Sequence, residues 1–289
     1  MSPVPRLGAG ASESRIQGVV ITVRATVVRR TALSASAVTL ALLATACGGG
    51  DEKGGSDGDK AAKGDTAAGA PAAKALTAAE LGKLVIAAAD LKDHKVTEPG
   101  KDEVSDPGSL SVEQAECEPV AQALSSVPTG KPAASVQRLV TLESEAAKKG
   151  MPDLDGLSEK EAEEAMIDSL DITKTMASLR SYDADGAKET LAALREAGKK
   201  CAGGFTMSAD GEKQQVTKVT EEKLAVGEDA VAWTVGTKLD DTTAETKVVV
   251  FRQGTTLAGF SSFNIAAVTR GETFEQPTAV IEAQEAKLG

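Results

Sequence analysis

The sequence predicts an α+β fold: an antiparallel β-sheet, built chiefly as a C-terminal meander, packed with helices and held by one disulfide. A signal peptide and a disordered linker precede it. Three observations predict this. Apolar residues recur at helical spacing mainly before Cys201, alternate with polar ones in five segments from Phe205 on, and nowhere follow a strand–helix–strand rhythm. The aromatics Tyr182, Phe205, Trp233, Phe251, Phe260, Phe263 and Phe274 all lie after residue 181, so that half supplies most of the core volume. The two cysteines downstream of the linker fall on the apolar faces of two different helices.

The chain begins with a segment that is not globular. Arg24, Arg29 and Arg30 form a basic cluster, and residues 31–46 are uncharged. That run is short for a membrane-spanning helix, which needs about 20 residues, and has the length of a signal h-region. It ends Leu43-Ala44-Thr45-Ala46-Cys47. Small residues before a Cys at the end of an h-region resemble the lipobox of bacterial lipoproteins, in which the thiol carries a diacylglycerol. Leu43 stands one position further upstream than the usual pattern. Cys47 is therefore the expected lipidation site, against the plainer reading of a secreted protein with a free thiol. Residues 1–22, with Pro3, Pro5 and Glu13, do not read as an n-region, and starts at Val23, Val27 or Val28 give a signal of ordinary length. Residues 1–46 carry five Arg and one Glu, so their removal leaves 243 residues and a net charge of −15.

Residues 47–75 hold the Cys and a Gly, Ala, Asp and Lys linker with no large apolar side chain. Such a segment cannot bury enough surface to offset its ordering entropy. It reads as a solvated spacer spanning about 30 Å.

Residues 76–289 form the expected domain. Thr77-x-x-Glu80 is a capping box, and Leu81, Leu84, Val85 and Ala88 share a helical face that ends near Asp90. His94–Val96 reads as a short strand, followed by a loop rich in Pro, Gly and Asp. Ser111-x-x-Gln114 suggests another helix start, with Cys117, Val120, Ala121 and Leu124 on its apolar side. Pro119 implies a kink or a later start. Val136–Glu143 reads as a strand, Ser158-x-x-Glu161 opens an acidic helix to Asp168, and Thr173–Tyr182 is a strand. Asp183 is placed to cap a helix bearing Ala187, Leu191, Leu194, Gly198 and Cys201 on one side.

Five strands then follow: Phe205–Ser208, Gln214–Glu222, Ala230–Thr237, Thr246–Arg252 and Thr255–Phe263. Asp210-Gly211, Gly227-Glu228-Asp229, Asp240-Asp241 and Gln253-Gly254 separate them. Alternation of Val231, Trp233 and Val235 implies one buried and one wet face. Pro277 starts a terminal helix ending at Leu288.

With Cys47 used by lipid, Cys117 and Cys201 are left, and in an exported protein such a pair is most simply a disulfide. It carries no C-x-x-C redox motif.

The chemistry search is mostly negative. A net charge of −11, 2% aromatics and the single His94 disfavour nucleic acid as a partner and exclude multi-histidine metal sites. His94 stands between Asp93 and Lys95 and reads as a solvated turn residue. Asp153-x-Asp155-Gly156 and Asp183-x-Asp185-Gly186 resemble fragments of calcium loops without the required continuation, and read as turns or caps. Glu159–Glu164 is a solvated helix face, and Trp233 a core ring. No catalytic, cofactor-binding or metal-ligating residue is assigned.

Three short segments carry a family resemblance: Leu84-Val85-Ile86-Ala87-Ala88-Ala89-Asp90-Leu91, Gly198-Lys199-Lys200-Cys201-Ala202-Gly203, and Val248-Val249-Val250-Phe251-Arg252-Gln253-Gly254-Thr255. With them, the region from Leu76 on resembles actinobacterial lipoproteins related to the extracellular sensor domain of the PknH-type serine/threonine kinases. The resemblance implies an antiparallel sheet flanked by helices, with a cleft for an extracellular ligand. The kinase sensor domain has two disulfides, whereas this chain has cysteines for one. The resemblance offers no ligand residue to map onto this sequence.

The expected role is a non-catalytic ligand-binding or sensor-like domain, lipid-anchored on the extracytoplasmic side of the membrane. A small or amphiphilic ligand, or an envelope protein, would be its partner. A lipid or glycolipid carrier is the second reading and a cell-wall-acting enzyme the third.

Overall fold

Among the described residues, nine strands form one antiparallel sheet in the order β1-β3-β4-β9-β8-β7-β6-β5-β2. They are β1 (His94–Thr97), β2 (Ser111–Val112), β3 (Ala134–Glu143), β4 (Ile172–Ser181), β5 (Phe205–Ala209), β6 (Glu212–Glu222), β7 (Asp229–Leu239), β8 (Thr242–Gln253) and β9 (Thr256–Asn264). The helices are α1 (Ala78–Leu84), α2 (Glu118–Leu124), α3 (Glu145–Lys148), α4 (Glu159–Asp168), α5 (Gly186–Lys200), α6 (Ile265–Arg270) and α7 (Thr278–Leu288). The computed structural model describes residues 73–239 and 242–289, so the leader, Cys47, nearly all of the linker and the Asp240-Asp241 turn lie outside the described residues.

Strands β5 to β9 form the expected meander. Asp210 and Gly211, at φ 51° and 85°, supply the two left-handed residues that match a two-residue hairpin to the sheet twist. The first half of the chain adds the rest of one wing, because β4 pairs along β9 from Thr173↔Asn264 to Ser181↔Thr256.

Both faces of the sheet centre are covered. On one, α2 and α5 pack Val120, Leu191 and Leu194 over Phe205, Trp233, Val248 and Leu257. On the other, Leu81 of α1 and Val280 and Ile281 of α7 lie in one cluster with Leu179, Val249, Phe251 and Phe260. This corrects the expected wet face: Ala232, between Val231 and Trp233, is buried under the second helical layer. That layer joins helices from opposite ends of the chain, which local alternation cannot reveal. The run Val248–Phe251, buried at every position, is the local sign of two-sided burial.

Other boundaries differ for identifiable reasons. Helix α1 ends at Leu84, not near Asp90, and Val85 is extended. Gln284 of α7 is buried at the break, accepting from Ile86 N at 3.0 Å and donating to Leu84 O at 2.9 Å. Its amide satisfies the backbone groups that a continuous helix would have paired. Ser111 starts β2 instead of capping a helix, and Gln114 Oε1 accepts from Thr206 N at 3.2 Å. The helix starts later, with Pro119 in its first turn. Asp183 accepts from Ala75 N at 3.0 Å and does not cap α5. Helices α3 and α6 were not anticipated; Ser144 and Asn264 cap them through their side chains.

The Cys117–Cys201 disulfide ties the turn before α2 to the end of α5, with Cα atoms 5.7 Å apart and both residues buried. Closing so long a loop restricts the unfolded chain. Replacing both cysteines by Ala is expected to lower the unfolding free energy by about 2–5 kcal/mol. Guanidinium titration of the oxidised and substituted chains measures the difference.

Candidate functional site

Helix α2 stops partway along the strands, and beyond it the sheet face is uncovered. A groove of about 770 Å³ runs there across the strands from β3 to β6. Five strand spacings of about 4.8 Å make it roughly 24 Å long. Its floor follows from strand parity. Leu139, Met176 and Ser261 face each other across β3, β4 and β9, with Lys174 opposite Phe263 in the next row. Thr237 and Ala244 pair across β7 and β8. Phe263 and Leu239, at 41% and 49% exposure, are large apolar side chains left open to water on this floor.

One wall is the end of α2, held from below. Ser261 Oγ donates to Leu124 O at 2.7 Å, Gln137 Nε2 to Ser126 O at 2.8 Å, and Arg180 Nη2 to the same oxygen at 2.7 Å. Arg180 is buried, and among the described residues no carboxylate lies within ion-pair distance. Burial pushes its pKa down to about 10, which leaves it charged at neutral pH. The carbonyl end of α2 is the negative pole that such a cation can serve.

The other wall is the connection between β1 and β2, which brings Asp102, Glu103 and Ser105 to the groove. Glu103 Oε1 accepts from Lys174 Nζ at 3.3 Å. The Gly100 N–H holds the Glu103 carboxyl below its usual range; burial opposes this, and Lys174 adds to the lowering. Rim charges are balanced: Asp102, Glu103 and Glu212 against Lys174, Lys213 and Lys238.

A second cluster lies at a cavity of about 400 Å³ lined by Glu222, Thr234, Lys247, Phe274 and Gln276. Lys247, nearly buried, donates to Thr234 Oγ1 at 2.7 Å and Glu222 Oε1 at 3.2 Å, and its Nζ lies 5.9 Å from the Phe274 ring centre. Gln276 Nε2 donates to Glu222 Oε2 at 2.9 Å, and Thr234 Oγ1 to Glu222 Oε1. These contacts pin the segment before α7 to the sheet.

Of the residues singled out from the sequence, Cys117 and Cys201 meet as the disulfide, and Cys47 lies outside the described residues. His94 starts β1, half-buried, its Nδ1 2.6 Å from Lys92 O. Asp153 Oδ1 accepts from Asp155 N at 3.0 Å, a turn. Trp233 is a core ring. Among the described residues no three His, Cys, Asp or Glu side chains converge as a metal site, and no helix is long and apolar enough to cross a membrane. Sequence reasoning missed the groove residues: Phe263 was read as core volume, and Lys174, Met176 and Glu103 drew no notice. The available signal was that Leu257, Ser261 and Phe263 share one face of β9, but exposure at its end depends on where α2 stops.

Fold and site together define an antiparallel sheet covered on both faces by helices, with an open, apolar-floored groove across one face. No protein-family model matches the chain, and no curated protein matches it. Among solved structures, it is similar to the crystal structure of the extracellular domain of PknH from Mycobacterium tuberculosis, with a TM-score of 0.46 and 8% identity, over 74% of this chain and 97% of that chain.

Glu222 gives the second cluster a testable pH dependence. Burial raises its pKa, but hydrogen bonds from Thr234, Gln276 and Lys247 outweigh burial and lower it overall. Its stabilisation is therefore present above the ordinary glutamate pKa of about 4.3 and is lost as pH falls through the lower folded value. Urea titrations of Glu222→Gln between pH 3 and pH 7 are expected to show a weaker acid loss of stability than the unsubstituted chain.

Proposed function

We propose that this chain is a lipid-anchored extracytoplasmic protein whose domain binds a small or amphiphilic ligand, without catalysis, in the transverse groove. The observation that carries the reading is the groove floor: Phe263 and Leu239 stay open to water in a groove of about 770 Å³ that Leu139 and Met176 also line. That volume lies within the usual range for small-molecule sites, which pair apolar linings with a few polar groups. Thr237 and Thr246 supply hydroxyls along the floor. The balanced rim selects against neither sign of charge locally, while a net charge of −11 disfavours polyanions at long range. A non-catalytic role is supported by the pairing of three of the rim groups, in the surface pairs Lys174–Glu103 and Lys213–Glu113.

The extracytoplasmic reading is supported by the disulfide, which persists in oxidising compartments, and by the leader that ends at Cys47. A carrier of lipid or glycolipid is the second reading, favoured by a groove long enough for an extended chain. An envelope protein resting on the same floor is the remaining partner class.

Two measurements test this. N-phenyl-1-naphthylamine, a neutral apolar fluorophore, is expected to bind unlipidated residues 48–289, and Phe263→Ser to weaken it about tenfold or more, since a buried Phe contributes about 1.5–3 kcal/mol. Equal affinity in the two proteins sinks the groove. In cells fed labelled palmitate, the unsubstituted chain is expected to take up label and Cys47→Ser to take up none; absence of label from both sinks the anchor.

A further inference from the structure

β1 and β2 are the two opposite edges of the sheet, yet they are consecutive in the chain. The connection 98–110 therefore crosses the whole width of the sheet, passing over the end of the groove where Asp102, Glu103 and Ser105 line it. Eight strand spacings of about 4.8 Å put the edges about 38 Å apart along the sheet. Six residues of the connection are wound into two single 3-10 turns, Lys101–Glu103 and Pro107–Ser109. At about 2.0 Å per residue in the turns and about 3.3 Å elsewhere, the connection reaches about 38 Å. By these spacings it has little slack. Unwinding both turns releases about 8 Å, the slack needed to rise from the floor without unpairing either edge strand.

The fastenings of this strap are few and local. Glu103 holds the first turn and the floor at once: its Oε2 accepts from Gly100 N at 2.8 Å, and its Oε1 from Lys174 Nζ at 3.3 Å. Ser109 Oγ fastens the second turn, donating to Asp210 Oδ1 at 2.6 Å, while Asp106 Oδ1 accepts from Gly108 N at 2.8 Å. At the β1 end, Glu98 approaches Arg138 at 3.9 Å. No residue between 98 and 110 is fully buried; Leu110 packs against the core where the strap meets β2, and lifting residues 98–109 exposes little apolar surface. The opposite wall is different, since α2 is tied through Cys117 and by three side chains beneath it.

We propose that the 98–110 strap is the gate of the groove and that Glu103 is its latch. This rests on the groove being the ligand site. Ligand enters as the Glu103–Lys174 contact breaks and the first turn unwinds, and is enclosed when both re-form. A gate changes the barrier between the free and bound states and leaves the equilibrium alone: it limits entry and exit alike. A simple contact residue slows exit only.

Stopped-flow binding of N-phenyl-1-naphthylamine to residues 48–289 separates the two. In Glu103→Ala, which loses both the turn cap and the ion pair, association and dissociation rates are expected to rise together, about fivefold or more, with Kd changed less than twofold. Glu103→Gln, which keeps an acceptor for Gly100 N, is expected to fall between. Hydrogen exchange should show the Glu103 amide less protected in Glu103→Ala, with Val249 and Phe251 unchanged, which establishes that the core is intact. A rise in dissociation rate alone makes Glu103 a contact and overturns the gate. Unchanged rates with normal binding overturn the gate and leave the groove standing. Failure of the unsubstituted chain to bind overturns the groove and the gate with it.

Discussion

Helix α2 has seven residues, well under the length at which an isolated helix is stable in water. Its place on the sheet is fixed from outside itself. Cys117 anchors its start to Cys201, and Ser261, Gln137 and Arg180 take the carbonyls at and just beyond its end. With both ends fixed, the helix covers part of one sheet face and no more. The groove is the remainder of that face.

The core itself is built with few rings. Phe251 and Phe260 stack at 6.0 Å on one side, and Trp233 carries much of the volume on the other. Small residues make this packing close. A Cβ on Gly198 of α5 would sit 2.8 Å from the Trp233 indole, so the helix lies on the ring only because that position has no side chain. A glycine inside a helix costs about 1 kcal/mol against alanine. The contact it allows outweighs that cost, because overpacking a buried ring costs about 1–3 kcal/mol.

Features that depend on neighbours in the chain were legible in the sequence. The capping boxes at Thr77–Glu80 and Ser158–Glu161 both form, and the meander strands fall within a few residues of their patterns. Ser111–Gln114 has the same local pattern but a different outcome, because Thr206, 92 residues away, takes the glutamine side chain. The disulfide was legible because elimination left two cysteines. The groove was not. Leu139, Lys174, Met176, Leu239 and Phe263 come together only through strand order, and their exposure is set by the length of a helix on another element. The strap was hidden for the same reason, since a loop rich in Pro, Gly and Asp says nothing of which strands it joins.

The two walls of the groove thus differ in kind. The α2 wall is covalently tied and backed by a buried arginine, so moving it would strip a cation of its carbonyl partner in a low-dielectric setting, where an unpaired charge is most costly. The strap wall is held by hydrogen bonds and two ion pairs, Glu103–Lys174 and Glu98–Arg138, contacts that water and salt can replace at little cost. Motion in such a molecule concentrates in the element whose opening exposes least apolar surface. That asymmetry gives the groove one fixed side and one yielding side; on the reading proposed above, the first sets the shape a ligand must match and the second lets it pass.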